Sequence, residues 1–160
     1  MPRDGRLTDV RPDANLDVLL AAMSPRPQPG EYVFVVDSAM SVRDPAVLAS
    51  VVEPEGRSIL VTRQDADHAR LSYDFVAGWI TLEVRSPLDA IGLTAAVAGA
   101  LGEAGISCNV VAGYHHDHLL VPHESVDDAI EVLEKLSARH RSALAATPPY
   151  AGPASGTHRR

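Results

Sequence analysis

Residues Ser86 to Pro122, SPLDAIGLTAAVAGALGEAGISCNVVAGYHHDHLLVP, decide the fold. The stretch opens on a polar turn and runs into a helix of small residues, expected over Leu88 to Glu103, that stops at Ala104-Gly105. A strand follows, Ile106 to Ala112, then a turn at Gly113-Tyr114, then a second strand, His116 to Val121. A turn that feeds directly into a helix leaves the first helical N–H groups without intrahelical partners, a natural seat for a carboxylate.

The flanking segments extend the pattern. Upstream, Trp79 to Arg85 alternates, with Ile80, Leu82 and Val84 on one side and Trp79, Thr81 and Glu83 on the other, so a half-buried strand is expected. Downstream, Glu124 to His140 carries Val126, Ala129, Ile130, Leu133 and Leu136 on one helical stripe, with Ser125 and Asp128 as a capping pair. The second half thus reads strand, helix, strand, strand, helix.

The first half repeats this order in reduced form. Asn15 to Met23 predicts a short helix capped by Asp13 or Asn15, with Leu16, Leu19, Leu20 and Met23 on one stripe. The three prolines of Ser24 to Gly30 stop it. Glu31 to Val36 and Ser58 to Thr62 predict strands, separated by a short helix from Asp44-Pro45 through Val51 or Val52 and a turn at Pro54-Glu55-Gly56. A split arrangement of this kind is ferredoxin-like α+β, βαββαβ, with helices on one face of antiparallel sheets. A weak internal duplication follows, with domains at 6–66 and 67–140 and a disordered tail at 141–160 rich in Pro, Gly and Ser.

Composition bounds the function. The chain has 160 residues, 46% hydrophobic and 22% charged. Its net charge of −7 argues against a nucleic-acid partner or an anionic membrane surface. The start lacks the apolar core of a secretory signal, and the longest uncharged run, Ala90 to Gly102, falls short of the roughly 18 residues a membrane span needs. A single cysteine, Cys108, rules out an intramolecular disulfide framework and suits a reducing cytoplasm.

These residues resemble the small bacterial tandem ACT-domain proteins. The resemblance rests on Ser86 to Pro122, with its Asp117-His118-Leu119-Leu120-Val121-Pro122 ending, and on LDVLLAAMSPRPQPGEYVFVV upstream. It spans roughly 14–138. It implies a regulatory, non-catalytic protein that binds a small effector, mostly an amino acid, where two such domains meet. Domains of this type occur in aspartate kinases and in cellular arginine sensors. One element departs: the family's arginine-glutamate-x-glutamate-glycine segment reads Val52-Glu53-Pro54-Glu55-Gly56 here. Arg57 is the nearest substitute for the missing arginine.

Carried onto this chain, the resemblance makes Ser86, Leu88, Asp89, Ile91, Gly92 and Leu93 the effector turn, with Asn109 and Val110 on the facing strand. The turn supplies N–H donors, and Gly92 permits close backbone approach. Asp89 either takes the ammonium or caps the helix. Asn109 offers a donor and an acceptor, or is simply an exposed strand residue. Asp117 either meets a cationic ligand side chain or pairs with a neighbouring histidine or arginine.

Other chemistries have less support. His115, His116 and His118 with His123 invite a metal, since His116 and His118 share a strand face, but a closed zinc site needs about four ligands and the chain supplies no second cluster. Cys108, between Ile106 and Val110, reads as a small buried hydrophobe rather than a nucleophile. No nucleophile elbow or dinucleotide fingerprint is present. The expectation is therefore no catalysis, no cofactor and no metal. The rival to an effector-binding protein is a ligand-free module that dimerises or docks onto an enzyme or transporter. A sheet face without helices exposes apolar area that a symmetric partner would cover, so a homodimer is expected.

Overall fold

The computed structural model describes residues 15–38 and 46–146. Among these residues six strands form one antiparallel sheet: β1 (Pro25–Asp37), β2 (Ala49–Glu53), β3 (Gly56–Thr62), β4 (Val76–Leu82), β5 (Asn109–Ala112) and β6 (Asp117–Pro122), in the order β2-β3-β1-β4-β6-β5. The helices among the described residues are α1 (Leu16–Ala22), α2 (Arg63–His68), α3 (Leu93–Glu103) and α4 (Val126–Ala146), with a 3-10 turn at His123–Ser125.

The fold is α+β, with the helices on one face of the sheet, as the strand alternation requires. Ile80, Leu82, Leu119 and Val121 turn to that face and pack with Leu19 and Leu20 of α1, Val97 and Leu101 of α3 and Leu133 of α4. Val33, Val35, Ile59 and Val61 turn the same way and meet Ala66 of α2. On the opposite face Tyr32, Leu60, Ala77 and Leu120 cluster with Trp79.

The long strand β1 joins the two halves. Its first residues, Pro25 to Gln28, pair with Leu82 to Trp79 of β4; its last, Tyr32 to Asp37, pair with Thr62 to Arg57 of β3. The prolines that stop α1 therefore belong to a strand rather than a linker. They are tolerated because only β4 flanks this part of β1, so no ladder N–H is lost on the open side. Between Gln28 and Tyr32 the register shifts, Gly30 adopts φ 104°, and the Tyr32 hydroxyl donates to the Pro29 carbonyl across 2.8 Å.

Helix α1 begins where expected. The Asn15 side chain accepts from the N–H groups of Asp17 and Val18. It packs chiefly on α4, so a helix from the start of the chain completes the layer over the second half. The Ser137 hydroxyl of α4 lies 3.1 Å and 3.0 Å from the carbonyls of Ala21 and Met23, with Arg141 also bonding Ala21. The last carbonyls of α1 are thus satisfied by side chains of α4.

Several local expectations are corrected. The short helix through Val51 or Val52 is absent: Ala49 to Glu53 is extended and pairs with β3 across the Pro54-Glu55 turn. The Asp44-Pro45 start of that helix lies outside the described residues. Helix α3 begins at Leu93 rather than Leu88, and β5 begins at Asn109 rather than Ile106. Helix α4 continues to Ala146, so residues 141–146 are helical and not tail. The rest of the proposed tail lies outside the described residues.

Candidate effector site

The connection from β4 to α3 is a folded loop, not a tight turn. Glu83 N–H bonds the Ser24 carbonyl at 2.8 Å, and Ala90 N–H bonds the Pro87 carbonyl at 2.9 Å. Gly92 then takes the cap position of α3 with φ 101°, a left-handed conformation that suits glycine, and its carbonyl accepts the first helical bond from Ala96. A Cβ at Gly92 would stand 2.9 Å from Leu16 Cδ2, so α1 seals this side of the loop. The cap position is held by glycine, not by Asp89, and glycine has no side chain to offer the first turn of α3.

Beside this loop lies a groove of about 340 Å³, lined by Arg85, Ser86, Pro87, Leu88, Asp89, Tyr114 and His115. The structure thus brings Ser86, Leu88 and Asp89 together and adds Arg85, Tyr114 and His115 to the lining. Tyr114 is exposed and meets His115 edge-on, with ring centroids 4.8 Å apart. Leu88 and Ile91 are exposed, whereas Leu93 is buried in the core and can offer only its backbone.

The facing-strand residues are not gathered into this groove. Ala112 pairs with Asp117 and His118 with Thr81, so the end of β5 near the loop is Ala112. Asn109 sits at the other end of β5, about 10 Å further along the strand. It is exposed on the helix-free side of an edge strand, while Val110 turns inward to the core. Asp117 is half-buried at the loop end of β6. Burial raises its carboxyl above the usual range, against the opposing pull of His118 and His116.

The histidines separate. His116 Nδ1 lies 3.3 Å from the Val84 carbonyl, in the turn before β6. His118 Nδ1 lies 3.1 Å from both Trp79 Nε1 and Thr81 Oγ1, on the helix-free face. Among the described residues no group of three or more His, Cys, Asp or Glu side chains could hold a metal ion. Cys108 is half-buried against the core, and burial raises its thiol above the ordinary value. Arg57 binds Asp37 at 2.7 Å, with the Asp37 side chain 1% exposed, so this arginine is engaged in a buried ion pair.

Comparisons with known proteins agree with this architecture. Residues 12–78 and 75–135 each match a family model described as an ACT domain. A Vibrio cholerae protein of unknown function, titled a possible transport protein, is 40% identical over 76% of this chain and 95% of its own, with TM-score 0.68. An Agobacterium tumefaciens protein is 20% identical over 72% of this chain and 89% of its own, with TM-score 0.56. The regulatory subunit of aspartate kinase from Thermus thermophilus, in a ligand-free form, is similar in fold at 11% identity, with 70% and 95% covered and TM-score 0.51. No curated protein matches the chain. The chain belongs to the ACT-domain family, as a tandem of two such domains. ACT domains are typically small-molecule-binding regulatory modules. No helix among the described residues is long and apolar enough to cross a membrane.

Proposed function

We propose that this protein is a non-catalytic cytoplasmic sensor or regulatory subunit that binds an amino acid at the β4–α3 loop. What supports this reading is the groove lined by Ser86, Leu88 and Asp89 on the loop that leads, three residues on, to the glycine-capped start of α3. In the proposed complex the N–H groups at the start of α3 hold the carboxylate, and Asp89 takes the ammonium. Leu88 and Ile91, exposed in the free protein, close over the ligand. Asn109 is too far along the sheet to reach this groove from within the same chain, so its contribution comes from a second copy in a homodimer. Asp117 stands at the loop end of β6, where it would meet a cationic ligand side chain.

Isothermal titration and thermal melts against the twenty amino acids test this reading. One of them should give saturable heat and a raised melting temperature, and Asp89→Asn should weaken it about tenfold, the loss of one charge-assisted hydrogen bond. Absence of heat and of any melting shift at millimolar amino acid would end the proposal.

The alternative, a ligand-free docking module, draws on one specific observation: Phe34, Val36 and Val51 expose apolar surface on the helix-free face. Co-purification of an enzyme or transporter with the protein, together with silence toward every amino acid, would favour it.

A further inference from the structure

The helix-free face carries a second concavity, unrelated to the loop site. It is a recess of about 440 Å³ walled by Tyr32, Trp79 and Leu48, with Gln28, Thr81 and His118 as its polar residues. The Tyr32 and Trp79 rings meet edge-to-face, centroids 5.1 Å apart and planes at 61°. Two rings at this angle form a corner in which a third flat ring can stack on one and meet the edge of the other.

The polar residues are joined in a fixed order. An indole N–H can only donate, so His118 Nδ1 accepts from Trp79 Nε1 at 3.1 Å and the imidazole is the neutral Nε2–H tautomer. Thr81 Oγ1 lies 3.1 Å from the same nitrogen and accepts from Gln28 Nε2 at 3.2 Å. The Tyr32 hydroxyl donates its hydrogen bond to the Pro29 carbonyl. Thr62, at the rim, is occupied capping α2 through Asp65. Not every donor is used: Gln28 Nε2 keeps a second N–H beside its Oε1, and the His118 Nε2–H has no hydrogen-bond partner among the described residues. The recess therefore offers a ligand the paired donor and acceptor of the Gln28 amide, with the lone pairs of the Tyr32 hydroxyl as a further acceptor. Among the described residues, none that lines the recess carries a formal charge, and Arg26 nearby on β1 is tied to Glu83 at 2.7 Å.

We propose that this recess is a second ligand site, for a neutral planar heteroaromatic molecule with an N–H donor beside a ring-nitrogen acceptor on its edge, an aminopurine or similar base. A zwitterionic amino acid fits poorly, because neither of its charges would find a counter-charge there. An aliphatic ligand would leave the acceptors unanswered.

Trp79 is the chain's one tryptophan, so the protein has a single indole N–H resonance, located at the wall of the recess. Adenine titrated into the nitrogen-15-labelled full-length protein should move that resonance saturably. Gln28→Ala, a change outside the core on the stretch of β1 that only β4 flanks, should weaken the response about tenfold while leaving the fold intact. L-aspartate and benzoate, both charged, should leave the resonance in place. The proposal is overturned by an unmoved resonance at millimolar adenine, by a response untouched in Gln28→Ala, or by a shift that follows protein concentration alone. The last outcome would make the face a contact between copies of the chain. Amino-acid binding at the β4–α3 loop is read by calorimetry and is independent of every one of these results.

Discussion

The Trp79 indole donates to Nδ1 of His118 across 3.1 Å, and this bond makes the protonation of one histidine a structural event. A proton on Nδ1 would face the indole N–H, so the bond survives only with a neutral ring. Burial, reinforced by His116 and opposed by Asp117, holds the His118 imidazole below its ordinary value of 6.5. The folded state therefore binds fewer protons than the unfolded chain once the pH falls below 6.5. Stability should be fully present above that pH and should decline as the pH falls toward the lower, folded-state value. Urea unfolding at a series of pH values should show this slope. His118→Gln keeps an acceptor for Trp79 but does not titrate, so its slope should be shallower. Equal slopes in the two proteins would remove His118 from the acid response.

Ser137 predicts how tightly the first helix is held. Its side chain is buried at the α1–α4 contact, and its hydroxyl is within hydrogen-bond reach of the carbonyls of Ala21 and Met23. Ser137→Ala leaves those carbonyls with fewer donors and should cost about 1–2 kcal/mol. Amide exchange should accelerate in α1 more than in β6. Uniform acceleration across the protein would mean that α1 is not anchored locally by this residue.

Asp117 predicts a gain. Desolvation opposes its ionised form more than the nearby histidines favour it. The raised folded-state value means that the folded protein holds the proton more tightly, so ionisation above that value works against folding. Asp117→Asn should therefore raise stability at neutral pH, by no more than about 1 kcal/mol after solvent screening at a half-buried site. The increment should vanish in acid, where the aspartate is already protonated. A residue kept at a cost to stability fits a ligand contact, so the same variant should lose affinity for any effector with a cationic side chain.

Legibility differed by element for physical reasons. The alternation of Ile80, Leu82 and Val84 and the stripe of Val126 to Leu136 are direct consequences of burial on one side, so β4 and α4 could be read locally. Helix α2, RQDADH, has one buried residue, Ala66, and its pattern carries no stripe to read. The prolines at 25, 27 and 29 signal a break in any local scheme; that they occupy a strand edge depends on β4, far along the chain. In the candidate site, Ser86, Leu88 and Asp89 could be grouped from the sequence because turn chemistry is local, whereas Ile91, Gly92 and Leu93 do not line the groove. Tyr114 and His115 join it only through the pairing of β4 with β6, and Asn109 is parted from it by the same register.

Gly78 offers the sharpest steric test of that register. It lies in β4 opposite Val121, on the helix side of the sheet, and a Cβ there would sit 2.1 Å from Val126 Cγ2 and 3.6 Å from the His123 Cα. The close approach lets the 3-10 turn and the start of α4 rest directly on the strand. Its backbone φ is not in the left-handed region, so alanine is excluded by space rather than by conformation. Gly78→Ala should cost about 1–3 kcal/mol through overpacking, since the clash falls on a β-branched side chain with one preferred rotamer. Val126→Ala removes the methyl groups that would collide. The double variant should then be more stable than the sum of the single effects, with a coupling of about 1 kcal/mol or more in a double-mutant cycle measured by urea unfolding. Strict additivity would show that Gly78 and Val126 do not meet in solution, and with it that α4 does not dock on β4 in this register.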